Sequence, residues 1–189
     1  MQAVADALGV DPKAINYHVG DRAGLQELVV LDVFEQQLGR LDLSATDWHT
    51  VVHTYAVAVR DATVELGVLA LIAHLPGAAA YGALARVEAV LQALVDAGCE
   101  PAEAGAVVTL VTETAFSAGV AGVRADHHRL HPDLPAVADA VNGAAAEDFP
   151  VLRQVVAAGQ QGDGETDQLE YNLALILAGL EHILAGRRR

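Results

Sequence analysis

The chain holds a single cysteine, Cys99, and a single lysine, Lys13, in 189 residues. One thiol forms no internal disulfide, and no charged segment followed by an apolar stretch opens the chain, so the expected compartment is reducing and cytoplasmic, with Cys99 an inert thiol. Long apolar runs are also lacking. Gly, Thr, Glu or Pro interrupts each one before membrane-spanning length, and no membrane partner is expected. Alternating Val/Thr/Tyr runs and Asn-Gly turns, the marks of strands and hairpins, are absent. So are a GxSxG elbow, a Walker sequence and a CxxC pair, which leaves nucleophilic, phosphoryl-transfer and redox chemistry without an anchor. The expectation is a protein that is not an enzyme and carries no cofactor.

What is present is helix-compatible bulk. Hydrophobic residues make up 53% of the chain, mostly Ala, Val and Leu, enough for a substantial core in one domain of ordinary size plus a small one. The fold class expected is all-α and soluble. The net charge of −14 repels phosphate, so any nucleic-acid contact must be local. Within residues 1–43, Lys13, Arg22 and Arg40 face seven carboxylates, a net of −4.

The first thirty residues, MQAVADALGVDPKAINYHVGDRAGLQELVV, are the most informative. A first helix over Gln2 to Leu8 places Val4, Ala5 and Leu8 on one stripe, and Gly9 supplies the left-handed stop. Asp11 is the next N-cap candidate, and Pro12 suits the first helical position because its missing N–H would be unpaired there. Ile15 and Val19 then face inward, while Lys13, Asn16, Tyr17 and His18 lie outward. After Asp21 as a cap, Arg22 to about Leu41 reads as one longer helix.

On these residues the segment VADALGVDPKAINYHVGDRAGL resembles the helix-turn-helix of the tetracycline-repressor (TetR) family of transcriptional regulators. The family places one more helix ahead of this pair, and Met1 sits where its second helix begins, so the expectation is a head without its first helix. Val4, Ala5, Leu8, Ile15 and Val19 would pack against that helix. The resemblance implies DNA contacts from Lys13, Ala14, Asn16, Tyr17, His18 and Arg22. The outward side chains of the second of these helices would enter the major groove and Arg22 would reach a phosphate. Asn16 stands where the family has an aromatic residue, and it would supply a base-reading amide in place of one phosphate contact. It further implies a connector helix from Arg22 that can tilt, and a division into a DNA-binding head at 1–44 and a ligand-binding and dimerisation body at 45–189.

In the body, Val52, Tyr55, Val59, Ala62 and Leu66 form a core stripe, with His49, His53 and Arg60 on another face. A short apolar helix VLALIAHL ends at Pro76-Gly77. Residues 78–97 form the next helix, with Leu84, Val87, Leu91, Leu94 and Val95 inward and Arg86 and Glu88 outward. The helix from Pro101 to about Val123 is apolar nearly all round, and its exceptions cluster: Thr112, Glu113 and Phe116 fall within about 60 degrees of Thr109. Its SAGVAGV end would let another helix approach closely. Residues 134–145 and DFPVLRQVVAAG are two short helices. The last helix, Asp167 to Gly186, carries Leu169, Leu173, Ile176, Leu177, Leu180, Ile183 and Leu184 on one stripe, and LEYNLALILAGLEHIL resembles the final helix of the TetR family. That likeness implies a homodimer through this helix and the one around 101–123.

Inter-helix cavities are where bundles bind ligands, and the family implies such a pocket, lined by parts of 48–66, 68–75, 81–95 and 107–116. The candidates are Tyr55, His74, Thr109, Thr112, Glu113 and Phe116; read as structure alone, the threonines satisfy local carbonyls, Glu113 faces water, and the aromatics are core. Glu113 is costly to bury without a partner. His49 and His53, four apart, and His127, His128 and His131 in one loop could suggest zinc, but with no cysteine ligands and no HExxH pattern they read as solvated histidines and no metal is expected. The tail Arg187, Arg188 and Arg189 reads as favourable charge at a helix end. The function expected is a ligand-responsive, DNA-binding regulator, a repressor released from a pseudo-palindromic operator by an unidentified small-molecule effector. The alternative is a dimeric ligand-binding protein without DNA binding, and an enzyme using His and Glu113 is a distant third.

Overall fold

A computed structural model describes residues 1–44, 47–71, 81–124, 134–145, 147–161 and 168–187. Helices account for all the regular structure among them, and no strand occurs there. The order is α1 (Gln2–Leu8), α2 (Pro12–Val19), α3 (Arg22–Gly39), α4 (Trp48–Leu66), a 3-10 turn (Gly67–Leu71), α5 (Tyr81–Ala97), α6 (Pro101–Arg124), α7 (Leu134–Gly143), α8 (Pro150–Gln161) and α9 (Gln168–Arg187).

Local chemistry sets the boundaries. Gly9 ends α1 at φ +67, a left-handed conformation that costs glycine little. Asp11 caps α2 by accepting from Lys13 N–H at 2.7 Å, with Pro12 in the first turn, and Asp21 caps α3 by accepting from Gly24 N–H at 2.9 Å. Asp47 caps α4 most completely. Its carboxylate engages the His49 ring at 3.0 Å and accepts from the Thr50 hydroxyl at 2.8 Å, besides both backbone N–H groups. These bonds, the His49 ring first, hold its pKa at about 2.

The main core forms where α4 meets α5, α6 and the far half of α3. Val51, Val52, Tyr55, Ala56, Val59 and Ala62 of α4 are buried, with Val90 and Leu94 of α5 and Ala104, Val111 and Ala115 of α6. Val30, Phe34 and Leu38, four apart on α3, belong to the same cluster. Leu169, Leu173, Leu180 and Leu184 of α9 close it from another side. The pairs Tyr55 with Thr112 and Thr63 with Gly119 show that α4 and α6 run in the same direction. Arg187 at the end of α9 meets Glu103 at the start of α6, at 2.6 and 3.0 Å, so those two helices are antiparallel. The tail's first arginine is thus a helix-end cation in a bidentate pair.

Several expectations change. The connector stops at Gly39 rather than near Leu41. The described part of VLALIAHL, up to Leu71, is a 3-10 turn, and the rest lies outside the described residues, as does the start of the helix expected from 78. On α5, Leu84 is exposed, and Val90, unremarked in the sequence, is buried with Leu94; Leu84 sits at the edge of the stripe that those two centre. Arg86 is half-buried rather than outward. On α9, Ile183 is exposed, whereas Leu169, Leu173, Leu180 and Leu184 of its stripe are buried and Ile176 and Leu177 half-buried. On the first two helices, Ala5 and Ile15 are buried, whereas Leu8 is 67% exposed. α6 also passes, by length and composition over Pro101–Val123, as long and apolar enough to cross a membrane, against the expectation that breaks come too early. In the fold this helix packs against α4, α5 and α9.

The tightest contact in the body involves Gly119. A Cβ there would lie 2.5 Å from Thr63 Cβ and 2.9 Å from the Arg60 carbonyl oxygen, and a backbone atom cannot step aside cheaply. Thr63 is fully buried, with its hydroxyl donating to Val59 O at 2.7 Å. Gly119→Ala is expected to destabilise the body by about 1–3 kcal/mol despite alanine's better helix propensity. A urea melt in which Gly119→Ala matches or exceeds the wild-type midpoint would contradict this.

Candidate functional site

Two regions hold the residues singled out in the sequence. The first is the outer face of α2. Lys13, Ala14, Asn16, Tyr17 and His18 are all exposed, Tyr17 at 86%, and Tyr17 and His18 meet edge to face with centroids 5.3 Å apart. Arg22 is exposed at the N-terminus of α3. Ile15 turns inward beneath them. The angle of α2 against α3 depends on a residue the sequence reading passed over: Gly24, where a Cβ would lie 2.1 Å from the Val19 carbonyl oxygen. A glycine in the first turn of a helix, three after its cap, is the local signal, since propensity alone disfavours it there.

The unfavourable head charge is partly neutralised in place. Asp11 and Asp21 are both N-caps, where the partial positive charge of the helix end offsets a carboxylate. Asp6 accepts from the Gln2 amide at 2.7 Å, and Asp32, on α3, from Gln36 at 2.7 Å. The side chains on the outer face of α2 are therefore cationic, amide and aromatic, without a carboxylate among them.

The second region lies along α4 and α6. The buried Tyr55 hydroxyl meets Thr112 Oγ1 at 3.0 Å, and Thr112 in turn donates to Val108 O at 2.7 Å. Since the threonine proton goes to Val108, the phenol is the donor to Thr112. Burial pushes the Tyr55 pKa up. Phe116 is half-buried against the core. Thr109 is exposed and donates to Gly105 O at 3.0 Å, and Glu113 is exposed. The buried residues of α6 centre about 120 degrees from Thr109 on the helical wheel, which puts Thr112 and Phe116 at the core's edge and Thr109 and Glu113 beyond it. The structure thus brings Tyr55 and Thr112 together and leaves Thr109 and Glu113 on the outer side. His74 lies outside the described residues, as do His127, His128 and His131. His53 pairs with Glu170 at 2.8 Å, and His49 with Asp47 at 3.0 Å.

Two further surfaces adjoin these regions. A groove of about 370 Å³ runs between α6 and α9, lined by Val107, Leu110, Leu175, Ile176 and Ile183 among others, and it accounts for the exposed Ile183. A cleft of about 320 Å³ lies between the end of α3 and the outer face of α4, lined by Gln37, Arg40, Leu41, His53, Val57 and Asp61.

Residues 31–184 match the model of the family described as tetracyclin repressor-like, C-terminal domain. No curated protein matches the chain. Among solved structures, the TetR-family protein ActR of Streptomyces coelicolor, in complex with actinorhodin, is similar with a TM-score of 0.74 at 19% identity, over 98% of this chain and 87% of ActR. The transcriptional regulator SCO7222, a TetR from Streptomyces coelicolor, is similar with a TM-score of 0.68 at 21% identity, over 95% of this chain and 86% of its own.

The Tyr55–Thr112 pair makes a specific demand. Thr112→Val strands the buried phenol and is expected to cost about 1–3 kcal/mol, whereas Tyr55→Phe, which removes the donor and leaves Thr112 bonded to Val108, is expected to cost only about 0.5–1.5 kcal/mol. In chemical denaturation the double variant should be more stable than Thr112→Val alone; equal or lower stability would refute the pairing.

Proposed function

We propose, from the premise that this chain belongs to the tetracycline-repressor family of transcriptional regulators, that it is a ligand-responsive repressor whose α2 reads operator DNA. The observation that carries the reading is the outer face of α2, where Lys13, Asn16, Tyr17 and His18 project together free of carboxylates on a chain of net charge −14. A major groove about 12 Å wide admits one helix, an amide and a basic side chain have defined partners on base edges, and Arg22 is placed to bond a phosphate.

In this proposal residues 1–44 are the DNA-binding head and 45–189 the ligand-binding and dimerisation body. Two chains join through α6 and α9, where the apolar groove between them would be covered by the same groove of a second copy. A two-fold dimer then presents two heads to half-sites about one helical turn, or a multiple of it, apart. The effector enters between the helices of the body, near the hydroxyls of Tyr55 and Thr112, and favours a conformation in which the heads no longer match the operator. That the similar ActR is seen with actinorhodin supports a small organic effector. The protein acts in the cytoplasm, where DNA and effector meet, and does so as a binding protein rather than an enzyme.

Footprinting of the full-length chain on DNA flanking its own gene, at low and moderate salt, tests this. A protected pseudo-palindrome is expected, and its absence leaves the reading of a dimeric ligand-binding protein without DNA binding. Arg22→Ala should weaken binding to all sequences alike and reduce the salt slope by about 1 per protomer. Asn16→Ala should instead cost about 1–3 kcal/mol on the operator and relax base preference at one position per half-site, measured by binding to single-base variants.

A further inference from the structure

The C-terminal end of α3 is held by a group from another helix. Its last turn reads Gln36, Gln37, Leu38, Gly39, with Arg40 following as the C-cap, and the unpaired carbonyls of a helix C-terminus favour cations there. Arg86 of α5 supplies a second one. Its Nη2 donates to the Gly39 carbonyl at 2.8 Å, and its charge also acts on Asp42, in the turn that follows α3. On the α4 side, Gln37 donates its amide to Glu65. That side of the helix end otherwise borders the 320 Å³ cleft rather than packed side chains. Polar bonds thus join the burial of Leu38 in fixing where the last turn of α3 sits.

The head reaches the body through this helix. α1 packs on α2, α2 packs on α3, and Val30, Phe34 and Leu38 seat α3 in the core of the body. To this apolar seating the guanidinium bonded to one carbonyl adds a directional restraint on the last turn. Arg86 stands on α5, which packs against α3, α4 and α6.

We infer that Arg86 is a positioning residue that couples α5 to the connector helix, capping the Gly39 carbonyl and thereby setting the angle at which α3 carries α2. This rests on the DNA-binding reading above and adds the part of the body that sets head orientation. Movement of α5 would withdraw the guanidinium, release the last turn of α3 and broaden the range of head positions. DNA affinity then falls in proportion to the population left in the competent orientation.

The test compares wild type, Arg86→Ala and Arg86→Lys as full-length chains by amide hydrogen exchange, thermal unfolding and operator binding at several salt concentrations. For Arg86→Ala, exchange at residues 38–42 should speed about tenfold with exchange across α4 and α6 unchanged. Operator affinity should drop about 3–10-fold with the salt slope intact, because no phosphate contact is removed. Arg86→Lys, which keeps the charge and a donor, should recover most of both effects. Unchanged exchange at 38–42 overturns the inference, as does a loss of affinity that accompanies loosening of the whole body, or loosening of 38–42 with affinity unchanged. If the wild-type chain binds no DNA, the functional reading fails on its own; the exchange pattern then decides, with selective loosening at 38–42 that lysine reverses supporting the anchor and its absence rejecting it.

Discussion

The close approach of α4 and α6 is the constraint on which the rest of the body depends. Gly119 lets Thr63 and the Arg60 carbonyl come within a distance that any side chain would forbid. Two turns away along the same helix pair, Tyr55 and Thr112 bond across the interface. One contact demands the absence of a side chain and the other demands a matched donor and acceptor, so together they fix both the separation and the register of the pair. α5 and α9 then pack against a frame already set, and the apolar faces that α6 does not spend on α4 are left for α5, α9 and the groove beside α9.

That frame also explains how a strongly acidic chain can be organised for a task at the surface of DNA. α3 is half in one environment and half in another: Val30, Phe34 and Leu38 sit in the body, while its first turn, with Arg22 and Gly24, supports α2. A helix embedded at one end transmits any rotation of that end to the other, over the length of the helix. The head carboxylates Asp11 and Asp21 serve as caps, where the partial positive charge of each helix end offsets part of theirs.

Much of the fold was legible in the sequence because its signals are local. Asp11 with Pro12 and Asp21 mark helix starts by side-chain chemistry that needs no tertiary partner, and Gly9 marks a stop by its backbone freedom. The core stripe of α4 was legible because five residues repeat at helical spacing with one face. The small residues of SAGVAGV likewise announced a close approach. What escaped depends on how each helix is rolled about its own axis. Leu84 and Ile183 fit their stripes by periodicity, yet neighbouring helices favour a face centred elsewhere. Thr109, Thr112, Glu113 and Phe116 share a face by spacing, but the core direction falls to one side of it, so two are drawn in and two are left out. Arg86 bonds a carbonyl 47 residues away, and Gly24 matters only because Val19 folds back onto it. Neither partnership leaves a mark in the local sequence.

The central claim is that occupancy of the body and grip on DNA exclude one another. The direct measurement is a titration of operator-bound protein with small molecules that raise its melting temperature, following DNA release by fluorescence anisotropy. A compound that stabilises the body and lowers operator affinity about 5–150-fold, with DNA lowering the compound's affinity by the same factor, is the predicted result. Compounds that saturate the body while operator affinity stays unchanged would contradict the account.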